Sequence, residues 1–424
     1  MAATIQAVRG MNDVLPDEAP LWRVFEETTR DVFEQYGYRN IRTPIVEKTD
    51  LFVRAVGEVT DIVEKEMYSF TDHDERLSLR PEGTAPTVRA ALEHNMLYDG
   101  PKRLWYSGPL FRHERPQKGR YRQYQTFGVE ALGFAGPDVD VEQLTMIDRL
   151  WRRLGLSGIT LELNTIGSSA ERSGFRTRLI AYFERHLESL DDDAKRRLHS
   201  NPLRILDSKN PAMQALIEGA PKLMDALGDE SRALFEKVQA GARETGIDFR
   251  VNPRLVRGLD YYNATVYEWV TARLGAQSAV CSGGRYDGLV AQLGGKPTPG
   301  CGFGVGVERV LMLMQDAGRT ASDAPDAYVV HVGDPATRLA LSVAENLRDA
   351  GLAIVVNAGG GNFGSQMRRA DASGARFALI VGDDEAAANV VGVKPLRDPG
   401  EQVALPPGEL ATRIASPAHE AKRQ

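Results

Sequence analysis

The chain has 424 residues, 42% apolar and 26% charged, a balance that excludes a disordered chain and fits a globular protein of two or three domains. No apolar run approaches the roughly 20 residues that span a bilayer, and the first ten residues lack the apolar segment of a secretory leader, so a cytoplasmic protein with no membrane partner is expected. A net charge of −6 means that any nucleic acid must be met by local basic patches, and the two cysteines, Cys281 and Cys301, stand outside any zinc-ligand spacing.

In chain order, residues 18–36 place Trp22, Val24, Phe25, Val32, Phe33 and Tyr36 at mostly helical spacing, and Gly37 stops that helix. The segment 38–47 is extended but broken by Pro44, which has no donor and so predicts an edge or an interface. Two short strands, 66–72 and 75–80, flank an Asp/His turn, and Pro81-Glu82-Gly83-Thr84 opens a helix reaching about Met96. The run 103–133 is the most distinctive of the chain. Two apolar strands enclose a middle, Arg112 to Arg122, with five basic side chains, Pro116 and Gly119, which predicts a hairpin able to hold polyanions. Arg112 falls at a strand end, and the returning strand is expected to bring Glu130 back to the same neighbourhood.

A helix follows at 138–154 and a strand at 159–164. Residues 170–250 change texture: Phe175, Leu179, Tyr182, Phe183 and Leu187 form one helical stripe, the mark of a helical insertion in a sheet domain. Strands resume at 249–256, 264–270 and 279–281, and a glycine-rich strand from Gly300 leads into a helix carrying Glu308 and Arg309. Residues 1–324 therefore read as an α+β catalytic domain on a mostly antiparallel sheet. After a linker at 317–326, residues 325–424 alternate strand and helix as a small α/β domain.

Gly294-Gly295-Lys296-Pro297-Thr298 lacks the spacing of a phosphate-binding P-loop, so any ATP site would have to be built in another way. Gly359-Gly360-Gly361-Asn362-Phe363-Gly364 matches a dinucleotide fingerprint, with Asp383 and Asp384 downstream, but it follows the second strand of its domain and the domain lacks the other half of such a fold. A glycine turn that lets Arg368 and Arg369 face a partner is the stronger reading, and a nicotinamide-dependent enzyme rests on this loop alone. Arg112, Arg257 and Arg309 each lie in apolar, glycine-bearing surroundings, where a guanidinium needs an anionic or stacking partner. The partners are either local acids, Asp260 for Arg257 and Glu308 for Arg309, or a shared polyanion.

These runs together resemble the class II aminoacyl-tRNA synthetases, specifically the bacterial histidyl-tRNA synthetases. Pro44 in its strand resembles the first class motif, which builds a homodimer interface; Phe111-Arg112-His113-Glu114-Arg115 resembles the second, and Gly304-Val305-Gly306-Val307-Glu308-Arg309 the third. Leu255-Val256-Arg257-Gly258-Leu259-Asp260-Tyr261-Tyr262 and Ser282-Gly283-Gly284-Arg285-Tyr286-Asp287 resemble the two signatures peculiar to the histidine enzymes, and the likeness spans nearly the whole chain. The resemblance implies that ATP and L-histidine are condensed to an adenylate with Mg2+ present, and that histidine is passed to tRNA(His). Arg112 and Arg257 would be catalytic and touch both substrates, with Arg309 and Glu308 also on the ATP side. Glu82 and Thr84 would take the α-ammonium, and Glu130 and Tyr262, with Tyr261 adjacent, the imidazole. Gln125-Thr126 stands where the family reads His-Gln, which places the Thr126 contact to the amino group in question. Arg115, Gln117, Lys118 and Arg120 would meet the acceptor end, and Phe363 and Arg368 the anticodon, through a domain resembling the anticodon-binding module. The other class of function is a synthetase-like regulatory subunit of histidine biosynthesis that binds histidine without charging RNA.

Overall fold

The computed structural model describes residues 4–58, 60–206, 208, 210–275 and 279–415, so residues 416–424 of the expected C-terminal domain lie outside the described residues. The chain divides into two compact units, with the boundary between Ala321 and Ser322. Strands of the first unit are β1 (Arg39–Asn40), β2 (Val46–Lys48), β3 (Ser69–Asp72), β4 (Glu75–Leu79), β5 (Lys102–Phe111), β6 (Gln123–Leu132), β7 (Thr160–Thr165), β8 (Phe249–Val251), β9 (Asn263–Val270), β10 (Ala279–Arg285) and β11 (Gly300–Gly306). Eight of them make one sheet in the order β1-β5-β6-β11-β10-β9-β7-β8, and β2-β4-β3 make a second. The five inner pairings of the large sheet are antiparallel, whereas β1 runs parallel to β5 at one rim and β8 parallel to β7 at the other. A parallel neighbour needs a long crossover. The helical insertion is the crossover between β7 and β8.

Pro44 falls between β1 and β2, so the single extended segment expected at 38–47 is two short strands in two sheets. With no donor at Pro44 the ladder cannot run through it. The preceding Thr43 carbonyl is instead bonded by Arg80 Nη1 at 3.1 Å. The first helix, Ala19–Gln35, buries Phe25, Val32 and Phe33 against one face of the sheet, where Phe33 meets Trp105, Phe127 and Phe303. The helix Asp138–Leu154 packs on that same core and ends at Gly155 in the left-handed region, where a glycine carries no Cβ penalty.

The insertion begins with the helix Ser169–Glu184, whose Ser168 and Glu171 form a capping box. Phe175, Leu179 and Phe183 are buried, but the stripe stops there. The helix ends at Glu184, and Leu187 lies in a following turn, 44% exposed. The three buried side chains share a core with Leu255, Leu259, Tyr261 and Tyr262 of the sheet domain, so the insertion has no separate core of its own.

The second unit has strands β12 (Ala327–His331), β13 (Ile354–Val356), β14 (Phe377–Val381), β15 (Val391–Pro395) and β16 (Val403–Leu405), in the order β13-β12-β14-β15-β16. The first three are parallel and the last two antiparallel. β15, β16 and the helix Asp383–Ala388 that precedes them are too short to stand out as periodic segments in the sequence.

Candidate active site

The β5–β6 hairpin pairs Phe111 with Gln123 and Leu104 with Glu130. Glu130 thus lies at the far end of the hairpin from Arg112, not beside it as the sequence reading expects. Between the two lies a cavity of about 300 Å³ over the sheet that Arg112 lines and Glu130 backs through Thr84, with walls from β5, β6, β10 and β11, the start of the helix Thr84–Glu93 and the segment before β9. Period-two alternation puts Tyr124, Thr126, Gly128 and Glu130 on one face of β6. β11 places Gly306, Gly304 and Gly302 opposite the last three of these. A Cβ on Gly302 would overlap the Glu130 carboxylate, so that position admits only glycine.

Arg112, Arg257 and Arg309 all line this cavity. Arg112 donates Nε–H to the Pro81 carbonyl at 2.9 Å. Burial opposes its charge, and Tyr124, Glu66 and Glu82 more than offset that. Arg257 pairs with Glu268 and donates to Ser282 Oγ at 2.8 Å, so its acid comes from β9 and not from Asp260 next to it in sequence. Its guanidinium stands 5.5 Å from the Tyr262 ring centroid. Arg309 donates Nε–H to the Gly119 carbonyl at 2.8 Å, tying the hairpin turn down over the cavity. Glu308 accepts the Gln125 backbone N–H at 2.7 Å, and burial pushes its carboxyl up to about 7.

Glu82, Thr84, Thr126, Tyr261 and Tyr262 line the same cavity. Glu82 accepts the backbone N–H groups of Thr84 and Ala85 at 2.7 and 2.9 Å, which caps the helix, and the Tyr261 hydroxyl at 3.4 Å. Capping and ligand binding are compatible here, because a carboxylate offers about four acceptor positions. Thr126 donates to the Val305 carbonyl at 3.0 Å. Glu130 lies just behind the wall, where it accepts from Thr84 Oγ1 at 2.7 Å, from the Tyr106 hydroxyl at 3.3 Å and from the Tyr286 hydroxyl. Tyr106 and Tyr286 carry no assignment in the sequence reading, and neither does Tyr124. Tyr124 was reachable by stepping back two residues from Thr126.

Burial pushes the Glu130 carboxyl up to about 8, against the pull of its hydroxyl donors. Its folded pKa stands above the ordinary carboxylate value, so its contribution to stability is present at acid pH and is lost as pH rises from about 4.5 towards 8. Glu130→Gln, neutral at every pH, should therefore gain on the parent by on the order of 3 kcal/mol between pH 5 and pH 8. Denaturant unfolding at the two pH values reads this. A pH-independent difference would remove Glu130 as the titrating group.

Not every predicted site residue gathers here. Arg120, expected on the RNA-facing side of the hairpin, turns inward, pairs with Glu114 and lines the cavity. Arg115, Gln117 and Lys118 are exposed around a tight turn in which Gly119 takes a positive φ. In the second unit, Phe363 opens the helix Phe363–Ala372, and both Phe363 and Arg368 are exposed. Arg369 is exposed as well, but its guanidinium is engaged within its own domain. It donates to the Ala358 and Gly360 carbonyls, and its guanidinium fills the concave side of the glycine loop, where a dinucleotide pyrophosphate would need to approach. Among the described residues, no group of three or more His, Cys, Asp or Glu side chains is placed to hold a metal ion, and no helix is long and apolar enough to cross a membrane.

Comparison with known proteins bears on the same residues. The family model described as histidyl-tRNA synthetase matches residues 10–310, and the one described as an anticodon binding domain matches residues 326–416. The chain is 61% identical over 406 residues to a histidine–tRNA ligase of Nitrosomonas europaea, covering 95% of this chain and 97% of that one. It is also 61% identical over 417 residues to a histidine–tRNA ligase of Thiobacillus denitrificans, covering 98% and 99%. Among solved structures, apo histidyl-tRNA synthetase of S. aureus superposes with a TM-score of 0.81 at 34% identity, over 97% of this chain and all of that one. With its family model spanning the whole arginine-lined cavity and its relatives matching end to end, this chain belongs to the histidyl-tRNA synthetase family.

Proposed function

We propose that this chain activates L-histidine with ATP to histidyl-adenylate and then transfers histidine to the 3′ end of tRNA(His). The observation that carries the reading is the single cavity in which Arg112, Arg257 and Arg309 meet Glu82, Thr84 and Tyr262, with Glu130 directly behind. A carboxylate attacking the α-phosphate of ATP brings two anions together, so the catalytic task is positioning and charge compensation, without a covalent enzyme intermediate. Arg112 bridges the carboxylate and the α-phosphate. Arg257 stabilises charge on phosphorus as it becomes five-coordinate, and Arg309 and Arg120 face the remaining phosphates and the base. Glu82 receives the α-ammonium; Tyr262, with Glu130 acting directly or through Thr84, meets the two imidazole nitrogens. A pocket with polar groups for both ring edges is left with unpaired groups when another side chain enters, which is a strong form of rejection.

Mg2+ fits as part of the ATP complex. Of the cavity-wall carboxylates, Glu82 accepts from Thr84 and Ala85 and Glu308 from Gln125, while Glu114 is ion-paired with Arg120. Phosphate oxygens and water would supply most of the ion's octahedral shell, and the spare acceptor positions of these carboxylates the rest. In the second half-reaction Arg115, Gln117 and Lys118 meet the acceptor end, and Phe363 and Arg368 meet anticodon bases, whose exposed edges and faces suit an aromatic ring and a cation. The protein works as a cytoplasmic homodimer, with the short edge strand β1 and Pro44 towards the partner copy. The regulatory-subunit reading loses ground because this chain carries the second unit and all three arginines.

Pyrophosphate exchange into ATP, run with each amino acid in turn, tests the activity. Exchange with histidine alone is expected; silence with histidine, ATP and magnesium present would return the chain to a binding role.

A further inference from the structure

The segment Arg257–Tyr262 carries the catalytic arginine and the pocket tyrosines, yet much of what holds it comes from the helical insertion. Arg172, on the helix Ser169–Glu184, donates Nη1–H to the Tyr262 carbonyl oxygen, and its Nη2 is steadied by Ser169 Oγ at 3.2 Å. Asn201 donates Nδ2–H to Asp260 Oδ1 at 3.2 Å. Gly258 lies beneath the Arg204 guanidinium, where an added Cβ would come within 3.5 Å of Nη2. At the mouth of the insertion, Ile166 N–H donates to the Ala264 carbonyl at 2.8 Å and Ala264 N–H to the Gly167 carbonyl at 2.9 Å. Ala264 has φ +49°, a left-handed conformation that an alanine keeps only where its surroundings over-determine it.

The apolar packing runs the same way. Leu255, Leu259, Tyr261 and Tyr262 belong to one core with Phe175, Leu179 and Phe183 of the insertion, and Leu259, Tyr261 and Tyr262 also line the cavity. One side of the segment is the wall of the substrate pocket, and the other is packed and hydrogen-bonded to the insertion.

We propose that Arg172 is a positioning residue for the histidine pocket, and that the insertion, through Arg172 and Asn201, sets the placement of Tyr262. This rests on the reading of the cavity as a histidine site. The chemistry predicts selectivity: a displaced Tyr262 backbone moves a group facing the amino acid, whereas ATP is held mainly by Arg112 and Arg309 on other elements. A shift of about 1 Å in such a group is enough for a large loss.

The test uses the full-length protein with Arg172→Ala, Arg172→Lys and Asn201→Ala, measuring KM for histidine and for ATP in pyrophosphate exchange beside the melting temperature. Arg172→Ala should raise the histidine KM by about tenfold while the ATP KM moves by less than about twofold, and Arg172→Lys, which can still reach one carbonyl, should recover part of the loss. Equal rises in both constants, or no rise in a folded variant, would overturn the assignment. If Arg172→Ala fails to fold, Arg172→Lys and Asn201→Ala decide by the same selectivity. Histidine binding by calorimetry reads it without turnover, so a parent that binds histidine but shows no exchange would count against the enzymatic reading and leave this one still measurable.

Discussion

Arg257→Ala should lower kcat/KM for histidine-dependent pyrophosphate exchange by about 10²–10³-fold, or about 3–4 kcal/mol of transition-state stabilisation, the range for loss of one preorganised donor. The guanidinium is already aimed before any substrate arrives. It is 14% exposed, paired with Glu268 and bonded to Ser282, and its aromatic neighbour Tyr262 sits on the cavity wall. Holding a cation in place beforehand spares the reorganisation that water would need at the moment of reaction. Arg257→Lys should recover little, because one ammonium cannot reach Glu268, Ser282 and a phosphate in the fork geometry of a guanidinium. Because Glu268 would lose its ion pair with Arg257, the melting temperature must be followed as well. A folded Arg257→Ala protein turning over near the parent rate would take Arg257 out of the mechanism.

Arg285→Ala should cost about 3–5 kcal/mol of stability, the range for breaking a buried ion pair by removing one partner. Arg285 and Asp140 are among the most buried charged side chains described, at 1% and 0% exposure. Arg285 donates to Asp140 Oδ2, to Asp287 Oδ1 at 3.0 Å and to the carbonyls of Phe134 and Gly136 at 3.1 and 2.6 Å. All of these would lose Arg285 together, and Asp287 Oδ1 would keep the Gly300 N–H. Burial already raises the Asp140 carboxyl, with Arg285 pulling against it. Without Arg285 the folded-state pKa of Asp140 rises further above its unfolded value, so the variant should lose more stability as pH climbs from acid towards neutral. The pair Asp140→Leu with Arg285→Met should be markedly less destabilised than Arg285→Ala alone, since it buries no uncompensated charge. Denaturant unfolding of the three proteins reads both points; a double variant no more stable than the single would mean that packing, not charge, dominates the site.

Arg285 also marks where sequence reading runs out. It was legible as part of a signature, Ser282 to Asp287, but not as a staple. Its neighbour Tyr286 reaches the site, by donating to Glu130, while Arg285 fastens β10 to the start of the helix Asp138–Leu154. Arg120 and Arg369 are similar cases. Both lie in runs that read as outward-facing cation patches, and both fold back onto acceptors, Glu114 for one and the glycine-loop carbonyls for the other. A guanidinium takes the acceptors and anions that the fold brings within its reach. Which ones those are depends on chain segments that composition does not order.

Local signals carried the rest. The helix at 138–154, the hairpin strands around Arg112–Arg122 and the alternating strands and helices after residue 326 follow from apolar periodicity, caps and glycines within a few residues of one another. That periodicity, with the two histidine-type signatures, was enough by itself to determine the fold class and the family. Only the tertiary structure decided that Glu130 stands behind the pocket wall, that Glu268 and not Asp260 holds Arg257, and that the insertion grips Tyr262 from behind. The reason is physical. Strand register and helix docking bring together groups separated by tens of residues, and a one-residue slip in register would turn Glu130 or Glu268 to the opposite face of the sheet.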